Sequence, residues 1–335
     1  MKKKKPDIFL GITMGMLVLE ALLCLVILIV QKTSPAKKTP VNPVSTQEQL
    51  SSGDKDTSPA KNTSDTGSAT KDTEPAAPSD ITAIDEENLK KELDDNLDPL
   101  ASNWDVQIFD PVTGTRVTTS HHGNPALKFS PDTWMEANRM LPVFIMGAAY
   151  QQVADGKLTE DQISADVQAM IVDADYEAAD RLTELMGGGN AAAGMTAVKS
   201  FAEANGMQIS YNHLLTDTSG SQTNWYKASL GAQILDMICS GKLVSKEASE
   251  QMKEIICTPR KTEAFETGLQ KAESYGFITD IEQGLCCCTM GIVNMPTRSF
   301  VVSIGCYDPK TVENVLARFQ QLLAITEPYF APQEQ

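Results

Sequence analysis

Serine and lysine residues at a spacing of three are the first candidates for chemistry in this sequence. On a helix this spacing places both side chains on one face, where the amine can take the hydroxyl proton and activate a nucleophile. The pattern occurs at Ser34/Lys37, Ser52/Lys55 and Ser58/Lys61. All three pairs lie in a segment rich in Ser, Thr, Pro and Lys, where no helix is expected to hold the two groups together. Residues 83–335 contain no such pair.

A group of acidic residues is the second candidate, either for metal binding or for acid–base catalysis. Its members are Asp173, Asp175, Glu177 and Asp180. At helical spacing they spread over more than one face, so the favoured interpretation is a solvated helix start whose negative charge complements the helix dipole. We therefore predict no metal site and no cofactor.

Cysteine is the third candidate, with six residues after position 83. They are Cys239, Cys257, Cys286, Cys287, Cys288 and Cys306. The even number is compatible with disulfides if the domain is exported. The three consecutive cysteines favour another interpretation, small buried residues on a strand, with Cys286 and Cys288 on one face and Cys287 on the other. The histidines, at 121, 122 and 213, lack the spacing to these thiols that a zinc site requires.

The N-terminus predicts a membrane anchor. Residues 8–31 are apolar apart from Glu20 and the terminal Gln31, and about 20 such residues span a bilayer. Four lysines at positions 2–5 keep residues 1–7 in the cytoplasm, so the rest of the chain lies outside it. The apolar run is too long for a signal peptide and lacks a small-residue cleavage site, which favours an uncleaved helix over a cleaved one. A lipid anchor at Cys24 is disfavoured because leucines precede it.

Two glycines in the anchor have two interpretations. Gly11 and Gly15 form a small-xxx-small pair that could let two membrane helices approach closely as a homodimer, but the favoured interpretation is that glycine is simply common in membrane helices.

A tether and a folded domain follow the anchor. Residues 32–82 have no aromatic residue and too little apolar surface to fold, so they are predicted to be a disordered linker with a reach of about 40 Å. Residues 83–335 have the length of one domain or of a closely fused pair of domains. The net charge of the chain is −16, and the excess lies in this domain, which argues against nucleic acid as a partner.

Hydrophobic periodicity places the elements of this domain. It predicts a helix at residues 84–100, a hairpin at 104–120, a strand at 274–278 and two longer strands at 286–294 and 299–307, and a final helix at 311–329. Between hairpin and strands lies a helical block at residues 134–155, 159–172, 176–186, 191–205, 227–240 and 246–256. The predicted fold class is α+β, an antiparallel sheet covered by the terminal helices, with a helical lobe in the middle of the chain.

Three segments resemble class A β-lactamases and related penicillin-interacting serine hydrolases. Residues 140–143 with 149–158 resemble the helix that follows the family's nucleophile. Residues 170–182 resemble the segment around its Ser-Asp-Asn motif, and residues 288–293 resemble the strand after its Lys-Thr-Gly motif. The order of the segments also agrees across residues 83–335. The resemblance implies a β-lactamase/transpeptidase-like fold in an exported, wall-facing position.

The resemblance also locates the family's motifs, and their chemistry is missing. The serine and lysine positions fall on Ala137 and Met140, the Ser-Asp-Asn positions on Ala174, Asp175 and Tyr176, and the Lys-Thr-Gly positions on Thr279, Asp280 and Ile281. Alanine has no nucleophile and methionine is no base. The implied role is therefore binding rather than catalysis, with a peptidoglycan stem peptide or an envelope protein as the partner.

An active enzyme remains the alternative interpretation. A β-lactamase or D-Ala-D-Ala peptidase of this fold would then use a displaced nucleophile, such as Ser130, Ser219 or Ser221. The sequence supplies no identifiable base for it.

Overall fold

The computed structural model describes part of the chain. The described residues are 81–97, 103–121, 134–136, 138–217, 223–258, 267–280, 286–307 and 312–332. Among them no helix is both long and apolar enough to cross a membrane. The predicted anchor at residues 8–31, with Gly11 and Gly15, lies outside the described residues, as does nearly all of the predicted linker.

An antiparallel sheet of five strands forms the centre of the domain. The strands of the described residues are β1 (Asn103–Phe109), β2 (Arg116–His121), β3 (Met135–Glu136), β4 (Trp225–Tyr226), β5 (Ser274–Asp280), β6 (Cys286–Asn294) and β7 (Ser299–Tyr307). The order across the central sheet is β2-β1-β7-β6-β5, and all neighbours are antiparallel. The short strands β3 and β4 pair with each other.

Helices cover both faces of this sheet. They are α1 (Glu86–Asn96), α2 (Leu141–Ala154), α3 (Glu160–Val172), α4 (Tyr176–Met186), α5 (Ala191–Ala204), α6 (Ala228–Cys239), α7 (Lys246–Ile256) and α8 (Val312–Phe330). The terminal helices α1 and α8 share one core with Val302 of β7, whereas the helices between α2 and α7 share the other core with the adjacent Val301. The predicted α+β arrangement is confirmed, because alternate residues of each strand supply the two cores.

Local signals explain why several helices begin where they do. The Asp85 carboxylate accepts a hydrogen bond from Asn88 N at 3.0 Å and caps α1. Thr159 and Gln162 form a capping box at the start of α3. Ser245 caps α7 through Ala248 N at 3.1 Å. Side-chain oxygens at these positions satisfy N–H groups that have no partner within the helix.

The predicted helix at residues 134–155 is wrong in its first turns. Met135 and Glu136 form strand β3, residues 138–140 form a short 3-10 helix, and α2 begins only at Leu141. Pairing of β3 with β4 supplies the competing interaction, and it joins positions about 90 residues apart. Helical periodicity cannot reveal such a non-local pair.

A glycine on β5 lies directly against the end of α7. A Cβ on Gly276 would overlap the carbonyl of Ile256 and lie 2.9 Å from Cys257 Cα, at the end of α7. Both obstacles are backbone atoms that no rotamer change can move. We expect Gly276→Ala to lower the free energy of unfolding by about 3 kcal/mol, measured by urea denaturation.

Gly147→Ala is the matched control for this prediction. Its new Cβ would lie 2.7 Å from the ring of Phe201 and 3.4 Å from Leu243 Cδ2, which are side-chain and not backbone atoms, and alanine is the better helix former on α2. The loss should therefore be smaller. Equal losses in the two variants would contradict the assignment of Gly276 to a backbone contact.

Candidate functional site

The entrance of α2 is where the resemblance places a nucleophile. The helix is apolar on all sides, and Met140, the residue before it, is fully buried. No side chain of its own caps this helix. Instead, the carboxylate of Asp280 at the end of β5 accepts a hydrogen bond from Arg139 N at 3.1 Å. Asp280 thus joins the end of β5 directly to the N-terminus of α2. The resemblance had placed this residue at the middle position of the family's Lys-Thr-Gly motif.

Three motif segments that are distant in the sequence meet at this point. They enclose a cavity of about 30 Å³. Its lining residues are Arg139, Pro142, Met170, Ile171, Ala174, Tyr176, Ile278 and Thr279. Ligand pockets usually have volumes of roughly 300–1,000 Å³, so the cavity has room for water but not for a peptide. We call it the cleft cavity.

The guanidinium of Arg139 covers one side of the cleft cavity. Its Cζ lies 5.3 Å from the centre of the Tyr176 ring, which is a cation–π distance. Arginine and tyrosine thus fill space between the helix entrance and the loop before α4. Among the described lining residues only Thr279 and Tyr176 carry a hydroxyl, and none of these described residues is a serine, lysine or histidine.

The loop between α3 and α4 carries an unusual backbone. Ala174 has φ of 54°, in the left-handed region that L-residues with a Cβ rarely adopt. The next residue, Asp175, caps α4 by accepting a hydrogen bond from Ala178 N at 3.1 Å. Its other oxygen lies 3.7 Å from Arg181 Nη2. Asp175, which the resemblance places at the aspartate position of the Ser-Asp-Asn motif, therefore stabilises the N-terminus of α4.

The other predicted site residues divide into two groups. Met140 belongs to the core and does not line the cleft cavity. Ala137, Ile281 and the three alternative serines, at 130, 219 and 221, lie outside the described residues. Among the described residues no cluster of three His, Cys, Asp or Glu side chains could hold a metal ion.

Comparison with known proteins decides the family. The model of the β-lactamase enzyme family matches residues 110–324, which is more than half of the chain. This chain belongs to the β-lactamase enzyme family. No match was found among curated proteins.

Solved class A β-lactamases share the fold at low sequence identity. A variant of the enzyme of the last common ancestor of Gram-negative bacteria has 15% identity and a TM-score of 0.58, over 72% of this chain and 98% of that one. A β-lactamase from Xanthomonas campestris has 11% identity and a TM-score of 0.58, over 73% and 98%. The chromosome-encoded β-lactamase of Vibrio parahaemolyticus has 15% identity and a TM-score of 0.55, over 72% of this chain and 97% of that one.

Two features of this β-lactamase-family domain were missed by the sequence analysis. Arg139 was not singled out, because a lone arginine before an apolar helix carries no signal of what it covers. Asp180 was read as part of a solvated helix start, and this is wrong: it is buried and accepts hydrogen bonds from Leu215 N at 2.7 Å and Thr216 N at 3.0 Å. The carboxylate therefore holds the segment between α5 and α6 against α4.

A second pair holds the same segment. The hydroxyls of Thr183 and Tyr211 lie 3.0 Å apart in the core. Burial raises the pKa of Tyr211, so this phenol stays neutral and serves as a hydrogen-bonding group.

Proposed function

We propose that this chain is a non-catalytic member of the β-lactamase family that acts by binding a partner outside the cytoplasm. In this proposal residues 8–31 anchor the chain in the cell membrane, and residues 32–82 hold the domain away from the bilayer. Gly11 and Gly15 allow two anchors to associate. The lysines at positions 2–5 and the length of the apolar run support this orientation.

The cleft cavity is the observation that carries the proposal. Catalysis by this family needs a serine beside a base in a cleft open to substrate. Here the described lining residues include neither serine nor lysine, the cavity has a volume of about 30 Å³, and Arg139 lies over Tyr176 within that lining. A site of this size favours recognition through the outer surface of the domain, so an envelope protein is a better partner than a buried stem peptide.

Covalent labelling tests the absence of catalysis. We expect the full-length protein in membranes to take up no more fluorescent penicillin than a heat-denatured sample, because no activated nucleophile is available. Labelling that depends on the native fold would overturn the proposal. A triple variant with Ser130→Ala, Ser219→Ala and Ser221→Ala would then show whether a displaced serine carries the label, as the alternative of an active hydrolase requires.

A further inference from the structure

Two cysteines face each other across the centre of the sheet. The register of β6 and β7 places Cys287 directly opposite Cys306. Both side chains are buried and belong to the core shared with α1 and α8, so they lie on the same face. Cys288, the next residue, points to the other core and lies opposite Gly305. Cys287 and Cys306 therefore form a pair that excludes the neighbouring thiol.

The spacing of such partners suits a disulfide. Residues directly opposite in an antiparallel pair have Cα atoms about 4.5 or 5.5 Å apart, depending on whether they are hydrogen-bonded partners. Disulfides bridge Cα atoms about 4.4–6.8 Å apart, with their Cβ atoms turned toward each other. The register meets the first condition, and the shared face places both side chains on the same side of the sheet, so a small rotation of each side chain would bring the two sulfur atoms together.

We propose that Cys287 and Cys306 form a cross-strand disulfide as the domain folds. The proposal rests on the extracytoplasmic position proposed above, where protein disulfides supply the oxidant. One cysteine thiolate attacks the oxidant's disulfide, which forms a mixed disulfide and releases one thiol. The second cysteine thiolate then attacks the mixed disulfide and releases the other thiol. The two cysteines lose two protons and two electrons, and the oxidant's disulfide is reduced to a dithiol.

The folded environment explains why the bond forms early and then persists. Burial raises the pKa of Cys306 to about 12, against the opposing effect of Arg318, so few thiolates exist once β7 is packed. Exchange therefore takes place before the core closes over the pair. Afterwards the same burial keeps soluble reductants away from the bond.

The bond would act on β6, which pairs with β5, and β5 supplies Ile278 and Thr279 to the lining of the cleft cavity. Cys288 is the cross-strand partner of Asp280, whose carboxylate joins the end of β5 to the entrance of α2. A covalent link from Cys287 to β7 would fix the position of β6, and β6 in turn pairs with the end of β5 that carries Asp280.

Thiol trapping tests the proposal on the full-length protein. Cells are lysed directly into denaturant with N-ethylmaleimide, so that buried thiols also react, and Cys306 is mapped by mass spectrometry before and after reduction. We expect Cys306 to be linked to Cys287 and to become alkylated only after reduction. The Cys288→Ala variant should behave like the wild type, whereas Cys287→Ala should make Cys306 alkylatable without reduction.

Two outcomes would overturn the proposal. Alkylation of Cys306 in the wild type before reduction, or its linkage to a cysteine other than Cys287, contradicts it. Protease accessibility of the domain in spheroplasts separates the causes. If the domain is accessible and Cys306 is a thiol, the disulfide alone is wrong. If the domain is protected inside, the proposed location and the disulfide are both wrong.

Discussion

Arg298→Ala is expected to lower the free energy of unfolding by about 4 kcal/mol. Arg298 Nη1 lies 2.9 Å from Asp110 Oδ2, and the two side chains are 9% and 0% exposed. Removal of the guanidinium would leave a buried carboxylate without its ion partner. The cost is high because the buried carboxylate of Asp110 would lack both its ion partner and contact with solvent water.

The same guanidinium joins four parts of the domain. It donates to the carbonyls of Thr82, where the predicted linker ends, and Tyr329 in α8, at 2.9 and 3.0 Å. It also stacks over Phe330 at 5.0 Å. Arg298 itself lies between β6 and β7, and Asp110 begins the turn after β1. Removal of this side chain should therefore weaken the attachment of the segment at Thr82, of α8, of the turn after β1 and of the turn between β6 and β7.

Arg116→Ala is the matched control, read out by urea denaturation of the full-length protein. Arg116 forms an ion pair with Asp236 at 3.1 Å, but its side chain is 56% exposed. An exposed pair contributes roughly 0–1 kcal/mol. Arg298→Lys should fall between the two variants, because an ammonium group keeps the charge but cannot reach all of these acceptors. If Arg298→Ala cost no more than Arg116→Ala, the buried pair would not stabilise the domain as argued.

Asp180→Ala is expected to cost about 3 kcal/mol. The buried carboxylate accepts hydrogen bonds from Leu215 N, Thr216 N and, at 2.5 Å, Thr216 Oγ1. Alanine would leave the N–H of Leu215, which is buried, and the N–H of Thr216, which is more exposed, without their acceptor. We expect faster amide exchange at Leu215 and Thr216 in addition to the loss of stability, because the segment between α5 and α6 loses its attachment to α4.

Two variants calibrate this prediction. Asp180→Asn keeps one acceptor oxygen and should cost less than alanine. Asp173→Ala removes an exposed carboxylate seven residues earlier and should change stability by less than about 0.5 kcal/mol. Unchanged exchange at Leu215 and Thr216 in Asp180→Ala would show that another contact holds the segment.

Membership of the β-lactamase enzyme family does not by itself decide whether this chain is catalytic. The fold is shared with solved β-lactamases at 11–15% identity, and this degree of similarity establishes the fold alone. The proposed absence of catalysis depends on the residues at the cleft cavity, and penicillin labelling addresses those residues directly.

Local structure was readable from the sequence because its causes are local. The helix at residues 176–186 and the strands at 286–294 and 299–307 were predicted with the bounds that the structure has. Asp175 caps the helix at residues 176–186 by accepting a hydrogen bond from the N–H of Ala178, three residues later in the sequence. Alternation along β6 places Cys287 and Cys288 on opposite faces of the sheet. Such spacings depend on residues that are close in the sequence, so the α+β fold class followed from them.

Tertiary structure alone decided what these residues do. The strand at Met135 and Glu136 depends on a partner about 90 residues away, and the burial of Asp180 depends on Leu215. The contact of Arg139 with Tyr176 and the register of Cys287 with Cys306 likewise join distant positions. Periodicity reports which face of an element is apolar, but it does not report what packs against that face. The sequence therefore led to the prediction that the family's serine and lysine are missing, and the three-dimensional packing decided that the Arg139 guanidinium lies against the Tyr176 ring in the lining of the cleft cavity.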